Sequence, residues 1–471
     1  MTDVFDLLVI GAGPAGMAAA TTAAACGASV MLLDENASPG GQIYRAITTT
    51  PVRKRRILGG AYWVGENWTV RLKRSTVKYV PRTEIWMLRA EGNEIEVGVR
   101  DATGARLLRA RQVVVATGAM ERPMPVPGWT LPGVMTVGAA QTMLKASGMV
   151  PEGETVIAGS GPLLYLYARQ LLAAGCRPAL ILDTTPPSNW RRAAWHLPAF
   201  VASRYFLKGL SLLGAVLRKV PIERHVRMLR AEGGDRLREI VWQSPTGEQR
   251  RKVDVLLLHQ GVVPAINLWS AAGCRSVWND DQACWHAEAD SWGQSSVPGI
   301  IVAGDGAGVA GAEIAAVRGA LAGLQAAHLC RRIDEGMRDG QARGLQMALS
   351  RFLRGRDFID ALYRPADWVR TPTGDTIVCR CEEITAAQIV EAGRAGCPGP
   401  SQLKAYLRCG MGPCQGRQCG LAVTELLSKV LERSPGDIGH FRYRPPVKPL
   451  TVGELASVPA SVEDEASVVR L

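Results

Sequence analysis

The clearest pattern near the start of the chain is an apolar run followed by glycines and an alanine-rich segment. Val4 to Ile10 has the composition of a buried strand, and the segment up to about Cys26 has that of a helix. Gly27 suits a helix end. A second apolar run, Ser29 to Leu33, follows directly. This strand–helix–strand order predicts a parallel βαβ unit.

The same pattern recurs in the middle of the chain. An apolar run at 155–158 leads into Gly159-Ser160-Gly161, a helical segment follows, and a second apolar run at 179–182 ends at Asp183. Alternating strand and helix patterns favour an α/β fold with parallel sheets. The chain therefore predicts two Rossmann-like units.

The segment from Tyr205 to Val220 is the nearest approach to a long apolar stretch. It contains Lys208, Arg218 and Lys219, so it predicts an amphipathic helix. A helix packed on the protein surface is the favoured interpretation, and contact with a membrane is the alternative. No run of about 18 uninterrupted apolar residues occurs, and no signal peptide is expected at the N-terminus.

Composition and charge narrow the class of protein. The chain has 471 residues, which suits two to four domains, and 21% of them are charged. The net charge of +12 favours a solvated basic surface, with an acidic partner, an anionic lipid surface or a polyanionic cofactor as alternatives. The one dense basic run, at 53–56, lacks interleaved aromatic residues. Nucleic acid is therefore not an expected partner.

The glycine spacing after the first strand predicts a dinucleotide site. Gly11, Gly13 and Gly16 form a GxGxxG motif between strand and helix, and Asp34 ends the next strand. The glycines allow a tight turn, close approach of the backbone to a pyrophosphate, and close packing of the helix on the strand. The carboxylate of Asp34 can accept hydrogen bonds from ribose hydroxyls. The same predicted site also includes Pro14, Ala15 and Glu35.

Cysteines are concentrated in one part of the chain. Of eleven, six lie between Cys379 and Cys419 and five are scattered singly. A local cluster indicates metal binding rather than a disulfide framework. Two cysteine pairs about 30 residues apart bring four thiolates to one point, which suits tetrahedral zinc or a [2Fe-2S] cluster. The residues alone do not choose between these two.

Two further segments carry a resemblance to a known family. The strand at 113–115 ends in a small turn, and Gly304-Asp305 ends a short strand before an alanine-rich helix. With Gly40-Gly41-Gln42, these resemble the flavoproteins with two dinucleotide-binding domains, the glutathione-reductase-like fold. The resemblance implies FAD. It extends the implied cofactor site to Gly41, Gln42, Arg45, Ala116, Thr117, Gly118, Gly304 and Asp305.

The cysteine spacing resembles the [2Fe-2S] domain of the bacterioferritin-associated-ferredoxin type. The resemblance implies a cluster held by Cys379, Cys381, Cys414 and Cys419. Cys409 is the alternative ligand, and Cys397 is interpreted as a bystander. A cluster suits a flavoprotein better than zinc, because it passes on single electrons.

Nearly the whole chain is similar to the alpha subunits of hetero-oligomeric amino-acid and opine dehydrogenases. That family includes the A subunit of opine oxidase, the alpha subunits of proline and hydroxyproline dehydrogenases, and the flavoprotein component of hydrogen cyanide synthase. The resemblance implies an electron-transfer subunit whose partner, a D-amino-acid-oxidase-like FAD beta subunit, oxidises the C–N bond. A small ferredoxin-like subunit is a further candidate partner. The expected location is cytoplasmic, with a peripheral position at the inner membrane as an alternative.

The expected organisation is an FAD domain at 1–135 and 266–335, a second Rossmann-like domain at 136–265, a helical linker at 336–370, a [2Fe-2S] domain at 371–430 and a tail at 431–471. Two other functions stay open: a self-sufficient NADH-dependent reductase, and a nucleotide-binding scaffold with structural zinc.

The second glycine loop leaves its ligand undecided. Gly159, Gly161 and Asp183 suit NAD or another adenine nucleotide, or an empty site. Leu164 replaces the third glycine and is expected to loosen the packing of helix on strand. His259 is more readily a buried or hinge histidine than an acid–base group, and the sequence assigns no catalytic residue.

Overall fold

A computed structural model of the protein describes residues 4–459. The strands are β1 Phe5–Ile10, β2 Val30–Leu33, β3 Lys78–Val80, β4 Glu84–Glu91, β5 Glu94–Asp101, β6 Gly104–Val115, β7 Ala119–Glu121, β8 Val134–Thr136, β9 Thr155–Ser160, β10 Leu180–Asp183, β11 Ile222–Arg224, β12 Met228–Gly233, β13 Leu237–Ser244, β14 Gly247–Lys252, β15 Val255–Gln260, β16 Val262–Pro264, β17 Ser276–Asn279, β18 Cys284–Ala287, β19 Ile300–Val302, β20 Ile377–Cys379 and β21 Ile384–Thr385.

The helices alternate with these strands through the first two thirds of the chain and dominate the last third. They are α1 Pro14–Ala25, α2 Arg55–Leu58, α3 Gly60–Trp63, α4 Gly65–Arg74, α5 Val137–Ser147, α6 Pro162–Ala174, α7 Pro187–Ala194, α8 Leu197–Val201, α9 Arg204–Leu217, α10 Asn267–Ala271, α11 Ala312–Leu329, α12 Glu335–Leu353, α13 Arg356–Leu362, α14 Asp367–Arg370, α15 Ala386–Arg394, α16 Pro400–Leu407, α17 Gly420–Val430, α18 Pro435–Ile438 and α19 Val452–Ala456.

The first sheet has the strand order β3-β2-β1-β6-β5-β4. Strands β1, β2 and β3 run parallel, as do β1 and β6, whereas β4, β5 and β6 form an antiparallel extension. Strand β6 is long, so its last three residues also pair with β19. Strand β1 is buried on both faces, which is why its sequence is apolar apart from Asp6. The buried carboxylate of Asp6 is paired with Arg332 at 2.8 Å.

The second sheet has the order β11-β10-β9-β15-β8, and every neighbouring pair in it is parallel. An antiparallel meander, β12-β13-β14, adjoins it. Two parallel sheets with intervening helices confirm the predicted α/β class and the two Rossmann-like units.

Helix α1 is packed between the first sheet and helix α11 so closely that backbone atoms of the three elements are in contact. A Cβ on Gly16 would overlap the carbonyl oxygen of Gly11, and a Cβ on Gly319 or Gly323 would overlap the carbonyl oxygen of Ala15 or Ala19. Glycine at these positions therefore lets the three elements approach one another. The alanine-rich faces of both helices are buried in this contact.

The last third of the chain has its own small core. Helices α15, α16 and α17 enclose buried side chains such as Ile389, Leu403 and Phe441. Thr385 begins α15 with a capping box to Gln388, which explains where this helix starts. The Trp129 indole N–H donates to the Ile377 carbonyl at 2.7 Å and joins this region to the rest of the protein.

Helix α9 agrees with the prediction of an amphipathic helix packed on the protein surface. Val216 is buried in the main core, and Leu212 and Leu213 pack against that core. Its outer side is also partly apolar, since Leu207 is 72% exposed and Leu210 is 52% exposed. Among residues 4–459, no helix combines the length and apolar character needed to cross a bilayer.

The contact between α1 and α11 predicts opposite effects for two glycine substitutions. Gly319→Ala would force α11 away from Ala15, and we expect a loss of roughly 1–3 kcal/mol in unfolding free energy. Gly340→Ala, on exposed α12 with open space around it, is the control, with an expected gain of about 0.5–1 kcal/mol. Urea unfolding measures both, and equal stability of the two variants would contradict the packing argument.

Candidate functional site

The glycine loop after β1 forms one edge of the candidate site. Gly11 has φ of +98°, and its N–H donates to the Leu33 carbonyl at 2.7 Å. Gly13 begins α1 with no side-chain cap, so the first N–H groups of the helix are not taken up by a capping side chain. A Cβ on Gly41 would lie 2.9 Å from the Cα of Gly13, so the loop containing Gly41 passes close to it. Pro14 and Ala15 form the first turn of α1.

Asp34 ties this loop to the end of β2. Its carboxylate accepts the Ala12 N–H at 2.5 Å, the Asn36 N–H at 2.7 Å and the Asn36 side-chain amide at 2.8 Å. Burial raises the pKa of Asp34, and these hydrogen bonds oppose the rise. Its neighbour Glu35 is exposed and pairs with Lys448 at 2.5 Å. The structure therefore holds Asp34 at the loop and turns Glu35 away toward the C-terminal segment.

The segment with Gln42 and Arg45 meets a buried lysine. Lys145, only 4% exposed on α5, donates to the Gln42 carbonyl at 3.1 Å and to Gln141 Oε1 at 2.8 Å. Burial lowers the pKa of Lys145 to about 7, and the charge of Arg45 acts in the same direction. The Nε of Arg45 is buried without a hydrogen-bond partner among the described residues. Sequence reasoning missed Lys145, because no motif marks it.

The ends of β6 and β19 complete the first group of loops. The Ala116 N–H donates to the Ile10 carbonyl at 2.9 Å, and the Ala265 N–H donates to the Gly118 carbonyl at 3.0 Å. The Thr117 hydroxyl donates to the Ala265 carbonyl at 3.4 Å. The parallel pairing of β1, β6 and β19 thus brings the predicted residues Ala116, Thr117, Gly118, Gly304 and Asp305 to the same edge as the glycine loop.

Asp305 and Trp269 lie together beneath that edge. Asp305 accepts the Ala310 N–H at 3.3 Å, and burial raises its pKa. Trp269 is fully buried, and its indole N–H has no partner among the described residues. A Cβ on Gly306 would lie 3.9 Å from that nitrogen. A buried donor without an acceptor is costly, so this N–H suits a polar group of a bound ligand. No sequence signal marked Trp269.

The second glycine loop lies against His259. A Cβ on Gly159 would overlap the His259 carbonyl, and a Cβ on Gly161 would lie 3.4 Å from its Nε2. His259 Nδ1 is 2.6 Å from Glu121 Oε1, and the other oxygen of Glu121 accepts the Gly138 N–H at 2.7 Å. His259 is 2% exposed, which confirms the interpretation as a buried histidine. Leu164 is also fully buried in the core.

Asp183, the predicted ribose ligand of the second loop, already has protein partners. It accepts the Tyr165 hydroxyl at 2.7 Å and the Thr185 N–H at 2.9 Å. Tyr363, from the linker, lies close enough that the charge of Asp183 raises its pKa, after burial as the larger cause. The Asn189 side-chain amide fixes this part of the linker by donating to the Leu362 and Arg364 carbonyls at 2.9 and 2.8 Å. The linker therefore covers the end of β10.

Five cysteines come together in two groups. The sulfurs of Cys379, Cys409 and Cys419 lie within 4.8 Å of one another and are buried, while Cys381 hydrogen-bonds to Cys414. Hydrogen bonds from the Cys409 and Cys419 thiols hold the pKa of Cys379 at about 2, and backbone N–H groups contribute. Of the four predicted ligands, Cys379 and Cys419 thus lie in the first group, together with Cys409. Cys381 and Cys414 form the second group.

Cys397 does not belong to either cysteine group. Its thiol lies near the Gly399 carbonyl at 3.5 Å, and no other thiol of the described chain is among its hydrogen-bond partners. This position agrees with its interpretation as a bystander. Such groupings depend on the loop from 409 to 419 folding back on β20, which spacing alone does not fix.

Helix α10 lies between the cysteine loops and the first group of loops. Its Asn267 side-chain amide donates to the Gln415 carbonyl at 2.9 Å, next to Cys414. Two residues later, Trp269 faces Gly306 beside Asp305. Ile266 and Ala271 pack against the core of the cysteine region. One short helix therefore touches both candidate sites.

Comparison with known proteins agrees with this geometry. The model of the pyridine nucleotide-disulphide oxidoreductase family matches residues 5–329, and that of the sarcosine oxidase A3 domain matches residues 373–458. The A subunit of opine oxidase from Rhizobium meliloti is 46% identical over 98% of this chain and 88% of its own length. The HcnB subunit of hydrogen cyanide synthase from Pseudomonas aeruginosa is 33% identical over 94% of this chain and 96% of its own.

Among solved structures, L-proline dehydrogenase from P. horikoshii has a similar fold. Its TM-score is 0.71 over 96% of this chain and 80% of that chain, with 19% sequence identity. At this identity the likeness concerns the fold alone.

The buried position of Lys145 predicts a specific pH dependence. Its folded pKa of about 7 lies below the ordinary value of 10.5, so between these values the unfolded state binds more protons. Stability arising from this group therefore rises with pH across that window. We expect Lys145→Met to remove the rise, measured by urea unfolding at several pH values. Lys73→Met, at an exposed lysine, is the control. Parallel pH curves for wild type and Lys145→Met would contradict the assignment.

Proposed function

The chain belongs to the pyridine nucleotide-disulphide oxidoreductase family and is an FAD-dependent oxidoreductase related to the A subunit of opine oxidase, and from this premise we propose that it is an electron-transfer subunit containing FAD and a [2Fe-2S] cluster. Electrons pass from the flavin to the cluster. The contacts of helix α10 with both sets of loops are the observation that carries the proposal, because electron transfer requires the two groups to lie close together.

The residues of the first group of loops fit FAD. Gly11, Gly13 and Gly16 allow backbone approach to the pyrophosphate, and the uncapped start of α1 offers N–H groups to it. Two buried donors without partners among the described residues, Arg45 Nε and the Trp269 indole N–H, suit phosphate or flavin acceptors. The remaining proposed contacts are Pro14, Ala15, Asp34, Gly41, Gln42, Ala116, Thr117, Gly118, Gly304 and Asp305. Glu35 is not among them, because its side chain pairs with Lys448 and is turned away from the loop. When bound, FAD accepts a hydride and releases electrons singly.

The cysteine arrangement fits two iron atoms. We assign Cys381 and Cys414 to one iron and Cys379 and Cys419 to the other, following the two groups of thiols. Backbone N–H groups directed at Cys379 favour its thiolate, which is the form that binds metal. Cys409 then remains as a spare thiol beside the second pair. A single zinc ion needs only four thiolates in one group, so it suits the division into two groups less well.

The second glycine loop does not act as an NADH site in this proposal. The carboxylate of Asp183 already accepts two hydrogen bonds, and Tyr363 of the linker lies beside it. A ribose at Asp183 would have to share the carboxylate with Tyr165 and move Tyr363 of the linker aside, whereas the partners of Asp34 come only from its own strand end and the glycine loop. This argues against a self-sufficient NADH-dependent reductase and leaves the Rossmann-like unit as a retained fold.

The names of the relatives support a proposal for the partner and for the class of substrate. The opine oxidase relative is named as one subunit of a larger enzyme, and so is HcnB. We propose that a D-amino-acid-oxidase-like FAD beta subunit oxidises the C–N bond of an amino acid or opine, and that a small ferredoxin-like subunit completes the assembly. The electrons leave this chain through its cluster toward the respiratory chain, and the protein works in the cytoplasm.

The absorption spectrum of the purified chain tests the cofactors and the direction of electron flow together. We expect flavin bands, a broad iron–sulfur shoulder, and no bleaching of the flavin when NADH is added anaerobically, because Asp183 and Tyr363 close the second loop. Dithionite is the positive control and should bleach the flavin. Rapid bleaching by NADH would replace the proposed role with an independent reductase, and bound zinc without iron would exclude the cluster.

Cysteine variants test the ligand assignment. We expect serine at Cys379, Cys381, Cys414 or Cys419 to abolish bound iron and labile sulfide while the flavin bands remain. Cys397→Ser is the matched control, since this thiol is also buried but lies outside both groups. Cys409→Ser should keep the iron. Loss of iron in Cys409→Ser would show that Cys409 is a ligand in place of one of the four assigned cysteines.

A further inference from the structure

One surface of the second Rossmann-like unit combines exposed apolar side chains with positive charge. Helices α7, α8 and α9 follow one another between β10 and β11. We call their outer side the acid-free face, because residues 184–222 contain no Asp or Glu while six Lys or Arg are present. The whole chain has 43 acidic residues, so a stretch of this length without one is a marked departure from its composition.

The apolar side chains of the acid-free face are large and strongly exposed. Trp195 is 88% exposed and Leu207 is 72% exposed. The other members are Trp190, Leu197, Val201, Leu210 and Leu217, each between 44% and 54% exposed. Exposed apolar surface of this extent on a folded domain marks a binding surface.

The inner side of these helices is held in place, so their exposure is not that of a loose segment. Phe200 of α8 stacks on Phe358 of α13 with ring centroids 4.1 Å apart. The Tyr205 hydroxyl of α9 donates to the Phe352 carbonyl at 3.0 Å. The helices therefore present a fixed outer surface.

The positive charges on this face are mostly available for an outside partner. Arg192 pairs with Asp281 at 3.1 Å, and Arg204 pairs with Glu313. The four other cations, which take no part in the ion pairs of the described residues, are Arg191, Lys208, Arg218 and Lys219. Three of them directly follow an exposed apolar residue in the sequence, namely Trp190, Leu207 and Leu217.

We propose that the acid-free face binds the surface of a bilayer containing anionic phospholipids. Tryptophan and leucine side chains enter the boundary between headgroups and acyl chains, while Lys and Arg remain at the level of the phosphates. The intermixing of cations and apolar groups is the charge complementarity that favours this partner. A protein partner would have to place an acid opposite each of the four cations outside the described ion pairs, whereas an anionic bilayer presents phosphates over its whole surface.

The binding is peripheral. No helix in the 4–459 region is suited to spanning the bilayer, and the face buries only one side of three short helices. This surface goes beyond the proposed function: it places the protein beside membrane-bound electron acceptors, but the binding itself requires no cofactor. Vesicle binding and cluster content are therefore separate tests, and one can fail while the other succeeds.

Co-sedimentation of the full-length, FAD-containing protein with lipid vesicles tests the proposal. The probe is vesicles of phosphatidylcholine with a minority of phosphatidylglycerol, compared with phosphatidylcholine alone. We expect binding to the anionic vesicles at low salt and a strong loss in high salt, because salt screens the cations. Trp195→Ser combined with Leu207→Ser should reduce the partition coefficient by on the order of tenfold or more. Arg191→Gln combined with Lys219→Gln should reduce it about fivefold per charge.

The matched control replaces two exposed apolar residues outside the face. Val452 and Leu455 on α19 are 86% and 51% exposed, so Val452→Ser combined with Leu455→Ser removes comparable apolar surface. We expect this control to bind vesicles like wild type, and an unchanged flavin spectrum to show that each variant is folded.

Three results would overturn the proposal. They are a wild-type protein that stays in the supernatant at low salt, a partition coefficient that Trp195→Ser with Leu207→Ser leaves unchanged, and an equal loss in the α19 control. If that Trp195 and Leu207 variant changed the size of the purified assembly but not its vesicle binding, the face would be a protein contact instead.

Discussion

Three glycines allow helix α1 to lie so close to the end of β1 and to α11 that backbone atoms are in contact. Gly16 meets the carbonyl of Gly11, and Gly319 and Gly323 meet carbonyls of α1. Because α1 is fixed from both sides, the loop at its start has one position relative to the ends of β6 and β19. The glycine loop, the turn at Ala116 and Asp305 therefore share one edge of the sheet, where a dinucleotide fits. A larger side chain at any of these glycines would separate the elements that form that edge.

The second glycine loop resembles the first in its order of strand, glycine turn and helix, but different parts of the chain lie around it. There the linker returns across the end of β10, and Tyr363 and Tyr165 lie beside Asp183. The partners of Asp34 in the first unit come only from its own strand end and the glycine loop, and no part of the linker lies against it in the hydrogen bonds described. The repeated fold thus has two different surroundings. The first unit offers buried donors that have no partner among the described residues, and the second has linker residues beside its acceptor.

The last third of the chain brings the cysteines to the side of the molecule where the proposed flavin site lies. Helix α10 contacts the loop at Gln415 through Asn267 and faces Gly306 through Trp269. The acid-free face lies on helices that belong to the second Rossmann-like unit. In our proposal, the chain thus has separate regions for a flavin, for a cluster and for contact with a membrane surface.

The sequence by itself determined the strands and helices of the two βαβ units and their glycine loops, because these depend on hydrophobic periodicity and on backbone requirements within a few residues. It also indicated Asp34 and the cysteine cluster through their spacing, whereas Asp305 was implied by the resemblance to a known family. Tertiary structure alone brought Lys145 to Gln42, Tyr363 to Asp183 and Cys409 to Cys379, because each pair joins segments distant along the chain. It also left Leu207 and Leu210 of α9 exposed while it buried Val216. Periodicity shows that a helix has an apolar side, whereas only the packing of distant elements decides whether another part of the chain covers it.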